Sequence, residues 1–177
     1  MKKLILGSAI LAVLGVASNA MAAPNTGTVN FTGAVSTATC DLSLKDSAGG
    51  DISNVNLGVL SSTATANGTA VPFKLVPQDQ TCLTKTSANV AWSSSTLDSA
   101  GISNAATGGT NAYLLISATN ATKNGNAAVI KQGQTSFDYS ITGGIKSFDY
   151  SAVLAKPTAA LTAGPFNASA SYVVTYK

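Results

Sequence analysis

From residue 25 onward, apolar and polar positions alternate in short runs separated by clusters of Gly, Asn, Ser and Thr, with no sustained helical period. The pattern predicts an all-β chain. In residues 25–35, Gly27, Val29, Phe31, Gly33 and Val35 fall on one face and Thr28, Asn30, Thr32 and Ala34 on the other. Further strands are predicted at residues 37–44, 52–57, 70–76, 88–93 and 112–119, the last being the strongest candidate for a central strand. The final stretch, Phe166–Tyr176, places Phe166, Ala168, Ala170, Tyr172, Val174 and Tyr176 on one face without a break, after Gly164 and Pro165. Strand patterns thus sit at both ends of this region, where an untethered segment is usually disordered. A patterned strand at the N-terminal end needs a partner, either a sheet of its own domain or the sheet of another molecule.

Between these ends, residues 61–68 read as a polar loop, residues 107–110 as a surface loop within a Gly-, Ala-, Ser-, Thr- and Asn-rich stretch at 99–111, and residues 77–80 as a turn before Cys82. The Asn-Gly pair within residues 122–126 reads as a hairpin turn. The pentapeptide SFDYS occurs twice, at residues 136–140 and 147–151, separated by ITGGIK. Two such strands joined through Gly143 and Gly144 are expected to pair as a hairpin, with Phe137 and Tyr139 matching Phe148 and Tyr150. Two copies are too few for a solenoid or propeller. Asp138 and Asp149 alternate with these aromatics and read as solvent-facing positions rather than a carboxylate pair. The single tryptophan, Trp92, reads as a core aromatic rather than a ligand platform.

Residues 1–22 have a different pattern. Lys2 and Lys3 precede an apolar run of 14 residues from Leu4 to Ala17, and Ala20 and Ala22 are the small residues a signal peptidase needs, so cleavage is expected before Ala23. The run is too short for a helix to span roughly 30 Å of hydrocarbon. Without it, 155 residues remain, the size of one domain, with eight lysines against seven aspartates. Arginine, glutamate and histidine are absent, and the lysines are scattered singly, so the basic patch that nucleic-acid binding requires is missing. The same absences leave little for general acid–base catalysis, and no GxSxG motif or phosphate-cradling GK[ST] loop occurs, which argues against an enzyme and against a cofactor.

Cys40 and Cys82 are the two cysteines, with 41 residues between them. In an exported chain they most simply form one structural disulfide. The alternative, a metal or redox role, has no histidine to complete a zinc site and no CxxC spacing.

These features together resemble the pilins, the structural subunits of chaperone-usher fimbriae of Gram-negative bacteria. A glycine seven residues before the first cysteine (Gly33 to Cys40), a glycine fourteenth from the end (Gly164), a penultimate tyrosine (Tyr176), the cysteine pair, the leader and the length all match that family. Within it, GTVNFTG, the phrase FKL ahead of the second cysteine and the ending SASYVVTYK look most like the major subunit of sialoglycolipid-binding enterotoxigenic fimbriae. With 155 residues left for one domain and no second, lectin-type domain expected, a two-domain tip adhesin is the less expected reading.

The resemblance implies an incomplete immunoglobulin-like β-sandwich that lacks its last strand and is completed by a donor strand. It implies a signal peptide at residues 1–22, a donor-strand extension at residues 23–36 and a pilin domain at residues 37–177. Gly27, Val29, Phe31, Gly33 and Val35 would form the donor face, with Gly33 where the receiving groove tolerates no bulk. Gly164, Phe166, Ala168, Ala170, Tyr172, Val174 and Tyr176 would mark the groove wall, first bound by a periplasmic chaperone, whose basic residues would hold the carboxylate of Lys177. At the outer-membrane usher, the extension of the next identical subunit would replace the chaperone, giving a head-to-tail polymer on the cell surface. In an isolated chain, residues 23–35 would project away or fold back into the chain's own groove. The same resemblance raises a glycan-binding reading, in which Lys123, Lys131 or Lys156 faces an acidic host sugar, against the plainer one of isolated solubilising charges. A minor, adaptor-like subunit is a third reading.

Overall fold

In this computed structural model, residues 26–33, 40–123 and 125–177 are described. The predicted signal peptide, Val35, Asn124 and the first residues of the strand expected at 37–44 lie outside them.

Ten strands form two five-stranded sheets. They are β1 (Thr26–Gly33), β2 (Leu42–Asp46), β3 (Asn54–Val59), β4 (Val71–Pro77), β5 (Ser87–Ser93), β6 (Ile102–Ser103), β7 (Tyr113–Ala118), β8 (Ser136–Ser140), β9 (Phe148–Ala155) and β10 (Phe166–Tyr176). One sheet has the order β3-β1-β10-β5-β8 and the other β2-β4-β9-β7-β6. The chain is all-β, as its alternation predicts. Where that alternation is strictest, burial follows it residue by residue: Phe166, Ala168, Ala170, Tyr172 and Val174 of β10 are buried, while Asn167, Ser169, Val173 and Thr175 between them are exposed.

The inner faces meet in one core built on aromatic rings. Phe73 of β4 stacks on Tyr150 of β9 at 5.4 Å, and Trp92 of β5 meets Tyr150 edge-on at 5.0 Å and Tyr172 of β10 at 5.4 Å. The Trp92 indole N–H donates to the Tyr150 hydroxyl at 3.2 Å, which gives a buried donor its acceptor. Trp92 is thus a core residue, as expected.

The two SFDYS copies do not form a hairpin. β8 pairs with β5 in one sheet, whereas β9 pairs with β4 and β7 in the other. The linker at residues 141–146 crosses the sandwich, and the reason is burial. A hairpin would point both aromatic faces to one side of a single sheet, whereas the crossover lets Tyr139 and Phe148 approach from opposite sheets, rings 4.8 Å apart and both buried. Asp138 is exposed and accepts from the Asn89 amide, and Asp149 accepts from the Ser147 hydroxyl, so they lie in different sheets and make no pair.

Three other expectations shift. The strand foreseen at 37–44 runs instead over Leu42–Asp46. The segment after β7 reverses through a short 3-10 helix, Gly125–Ala128, so that Val129 bridges Ser117, rather than through a two-residue hairpin into a full strand. β7 lies between β9 and the two-residue β6, and it is β9 that occupies the centre of its sheet.

Candidate functional site

The strand β3 has β1 as its ladder neighbour, and β10 has β5 on one side and β1 on the other. Without β1, the sheet would be split by a strand-wide gap, with unpaired backbone groups along β10 and β3. Its inner walls would be Val55 and Leu57 of β3 and the alternating apolar residues of β10, all buried with β1 in place.

β1 runs parallel to β10 over seven register pairs and antiparallel to β3 over four. The register opposes small to large. Gly27 lies opposite Phe166, Val29 opposite Ala168, Phe31 opposite Ala170 and Gly33 opposite Tyr172. The intervening pairs, Thr28 with Asn167, Asn30 with Ser169 and Thr32 with Ser171, are polar on both strands. Cross-strand neighbours at these spacings are the pairs that stabilise a sheet. Of the two arrangements foreseen for an isolated chain, the structure has the one in which the N-terminal strand occupies its own groove.

β10 is pinned at both ends. At its start, Gly164 has φ +152°, and a Cβ there would lie 2.8 Å from the Gly109 carbonyl carbon and 2.9 Å from the Thr110 nitrogen. Only glycine accommodates both the dihedral and the approach. Asn104 completes this junction: its amide donates to the carbonyls of Thr110 (2.8 Å) and Pro165 (2.9 Å), and its side-chain oxygen accepts from the backbone of Ala106 and Asn167 (both 2.9 Å). The surface loop expected at residues 107–110, together with Asn104, is the clamp that sets where β10 begins. Sequence reading missed Asn104, because an asparagine among Gly, Ser and Ala carries no local signal of a partner 61 residues away.

At the other end, a Lys177 main-chain oxygen accepts from the backbone N–H of Thr86 (2.9 Å) and Ser87 (3.2 Å) and from the Thr86 hydroxyl (3.1 Å). Tyr176 beside it packs on Phe148 at 6.2 Å, and burial pushes its hydroxyl up to about 12. The disulfide forms here too. Cys40 is bonded to Cys82, which sits in the 3-10 helix Gln80–Thr84 capped by Asp79 just ahead of β5. The bond ties the segment leading from β1 to the end of the sandwich where β10 finishes.

The three lysines considered for glycan contact are not brought together. Lys123 is exposed in the loop after β7, whereas Lys156 follows Ala155, which pairs with Tyr113 at the opposite end of that strand. Lys131 is half-buried in a tight turn, its backbone exchanging hydrogen bonds with Gln134, and the Lys156 ammonium is turned onto the Pro157 carbonyl at 3.0 Å. Among the described residues, no group of three or more His, Cys, Asp or Glu could hold a metal ion.

Residues 29–177 match the family described as fimbrial protein. The chain is 37% identical over 186 residues to the K99 fimbrial protein of Escherichia coli, an alignment covering 99% of both chains. Among solved structures, it is similar to the P pilus rod subunit PapA at 22% identity and a TM-score of 0.45, over 79% of this chain and 100% of that one.

Proposed function

Since the chain belongs to the fimbrial protein family and is a structural subunit of a surface fimbria, we propose that it polymerises by strand exchange, as the major subunit of its fibre. In this reading, residues 27–35 of one copy fill the gap between β3 and β10 of the next. One observation carries it: among the described residues, the N-terminal strand is the element that fills the gap between β3 and β10, and the other sheet is built without it. A strand supplied in trans restores the same ladder, which is the general logic of strand addition at a sheet edge.

The energetics favour such a donor. Val29 and Phe31 stand opposite Ala168 and Ala170, where the groove wall is thinnest. Burying each side chain fully contributes about 1.5 to 3 kcal/mol before backbone bonds are counted. Gly33, opposite Tyr172, leaves room for the largest wall residue. Before assembly, a periplasmic chaperone lends the missing strand, and the usher exchanges it for the next subunit's. A polymer of this kind displays many copies, so adhesion to host cells, including weak contacts with acidic glycans, gains by multivalency without requiring a deep site on each subunit.

The test is assembly from the chaperone-bound subunit, with and without Gly33→Arg, read as SDS-resistant ladders at low temperature. Ladders from the unmodified protein, lost in the variant while chaperone binding survives, are expected. Ladders unaffected by the arginine, or no ladders from a chaperone-bound subunit whose groove also takes up no peptide of residues 25–35, would contradict the proposal.

A further inference from the structure

We propose that, in the isolated subunit, β1 is an intramolecular block on its own polymerisation groove, and that its tether to Cys40 fixes the one direction in which it can enter. This rests on the strand-exchange reading and concerns how that same groove is regulated.

The argument is one of reach. Tyr176 pairs with Ala88, Lys177 with Ser87, and the Cys82 turn directly precedes β5, so Cys40 is held at the end of the sandwich where β10 finishes. β1 points its C-terminal residue towards that end, with Gly33 opposite Tyr172. Seven chain steps separate Gly33 from Cys40 and span about 25 Å at most when fully extended. The same seven residues laid over β10 in reverse would put Gly33 opposite Phe166. The ten steps from Phe166 to Tyr176 measure about 33 Å at ~3.3 Å each, which is beyond the tether. The chain can therefore fill its own groove only parallel to β10, as it does. A strand arriving from a second copy is fastened to a different Cys40 and can enter in either direction.

The block is also favoured by concentration. A short tether holds its strand at an effective concentration on the order of millimolar, so a donor present at micromolar concentration competes at a disadvantage of about 10³. Self-occupancy keeps the free subunit monomeric and its sheet edge covered. The expectation that an isolated subunit is unstable or aggregation-prone then applies to a subunit from which β1 has been withdrawn.

The test uses the chaperone-free, oxidised subunit lacking residues 1–22 and a labelled synthetic peptide of residues 25–35. A variant lacking residues 35–39 leaves two chain steps, about 7 Å, to cover the about 13 Å between the positions of Tyr172 and Tyr176, so it cannot hold Gly33 opposite Tyr172. The unmodified subunit is expected to be monomeric, with slow hydrogen exchange along the β1-facing edge of β10, and to take up peptide at least ~10²-fold more slowly than the shortened variant. Should the shortened variant aggregate, a six-residue Gly/Ser insertion after Ser36 doubles the tether and raises uptake about threefold. Equal uptake by the proteins compared, or an unprotected β10 edge in the monomer, would overturn the block and leave strand exchange standing. Failure of every protein to take up peptide would overturn strand exchange and the block with it.

Discussion

The two sheets are finished in different ways. The sheet β2-β4-β9-β7-β6 draws all its strands from residues 42–155, joined to one another through the body of the domain. The sheet β3-β1-β10-β5-β8 has the same number of strands and shares the same core, yet its second strand is an N-terminal segment attached only through residues 34–39. Neither core composition nor strand count separates them. What separates them is whether a strand can leave without unthreading the fold, which is the property the proposed strand exchange needs.

The largest effect expected from breaking this difference is removal of residues 23–33. The chaperone-free protein should lose cooperative unfolding, and adding a peptide of residues 25–35 should restore it. A stable, cooperatively folding monomer with no strand supplied would show that the second sheet does not need one. Next comes the Cys40–Cys82 bond, which fastens the tether to the sandwich. Closing a loop of 41 residues is worth roughly 4 kcal/mol in the chain-entropy description, so the Cys40→Ser, Cys82→Ser pair should lose about that much in urea unfolding. A third probe is Gly164→Ala, which forces a Cβ against residues 108–110 and should cost about 1 to 3 kcal/mol by shifting the start of β10.

Much of this was legible in the chain. β10 was foreseen with its observed limits because its alternation is unbroken, and Phe166, Ala168, Ala170, Tyr172 and Val174 of its apolar face are buried. β1 was legible from its own alternation, and Gly33 and Gly164 were singled out by the resemblance to the pilins. What spacing could not supply was cause. Gly164 is required by a loop some 55 residues earlier in the chain, and Gly33 lies opposite Tyr172, a partner no spacing shows. The SFDYS repeat misled because local alternation fixes which face of a strand is apolar, not which sheet the strand joins. Tyr139 and Phe148 need opposite sheets to meet, and only the packed core reveals it.

A smaller effect depends on pH. Tyr176 in β10 is raised by burial, to about 12 from a value near 10 when unfolded, and its hydroxyl has no hydrogen-bond partner among the described residues. The protonated form is favoured by folding, so this contribution is intact below pH 10 and is lost as pH rises through about 12. Tyr176→Phe should flatten that part of the alkaline decline and leave neutral stability unchanged or up to ~1 kcal/mol higher. The smallest effect belongs to the other sheet, where Lys45 of β2 pairs with the exposed Asp51 at 2.7 Å. Lys45→Ala should cost no more than about 0.5 kcal/mol, and less at high salt.

The most direct test of strand exchange is to assemble fibres from an equal mixture of copies labelled only with ¹⁵N and copies labelled only with ¹³C, and to record ¹⁵N–¹³C correlations by solid-state NMR. Only contacts between copies can give a signal. Correlations joining residues 27–33 of one copy to β10 of another are predicted, whatever the direction of the donor. Fibres showing correlations elsewhere but none between these two strands would mean that each subunit keeps its own β1, and would contradict the account.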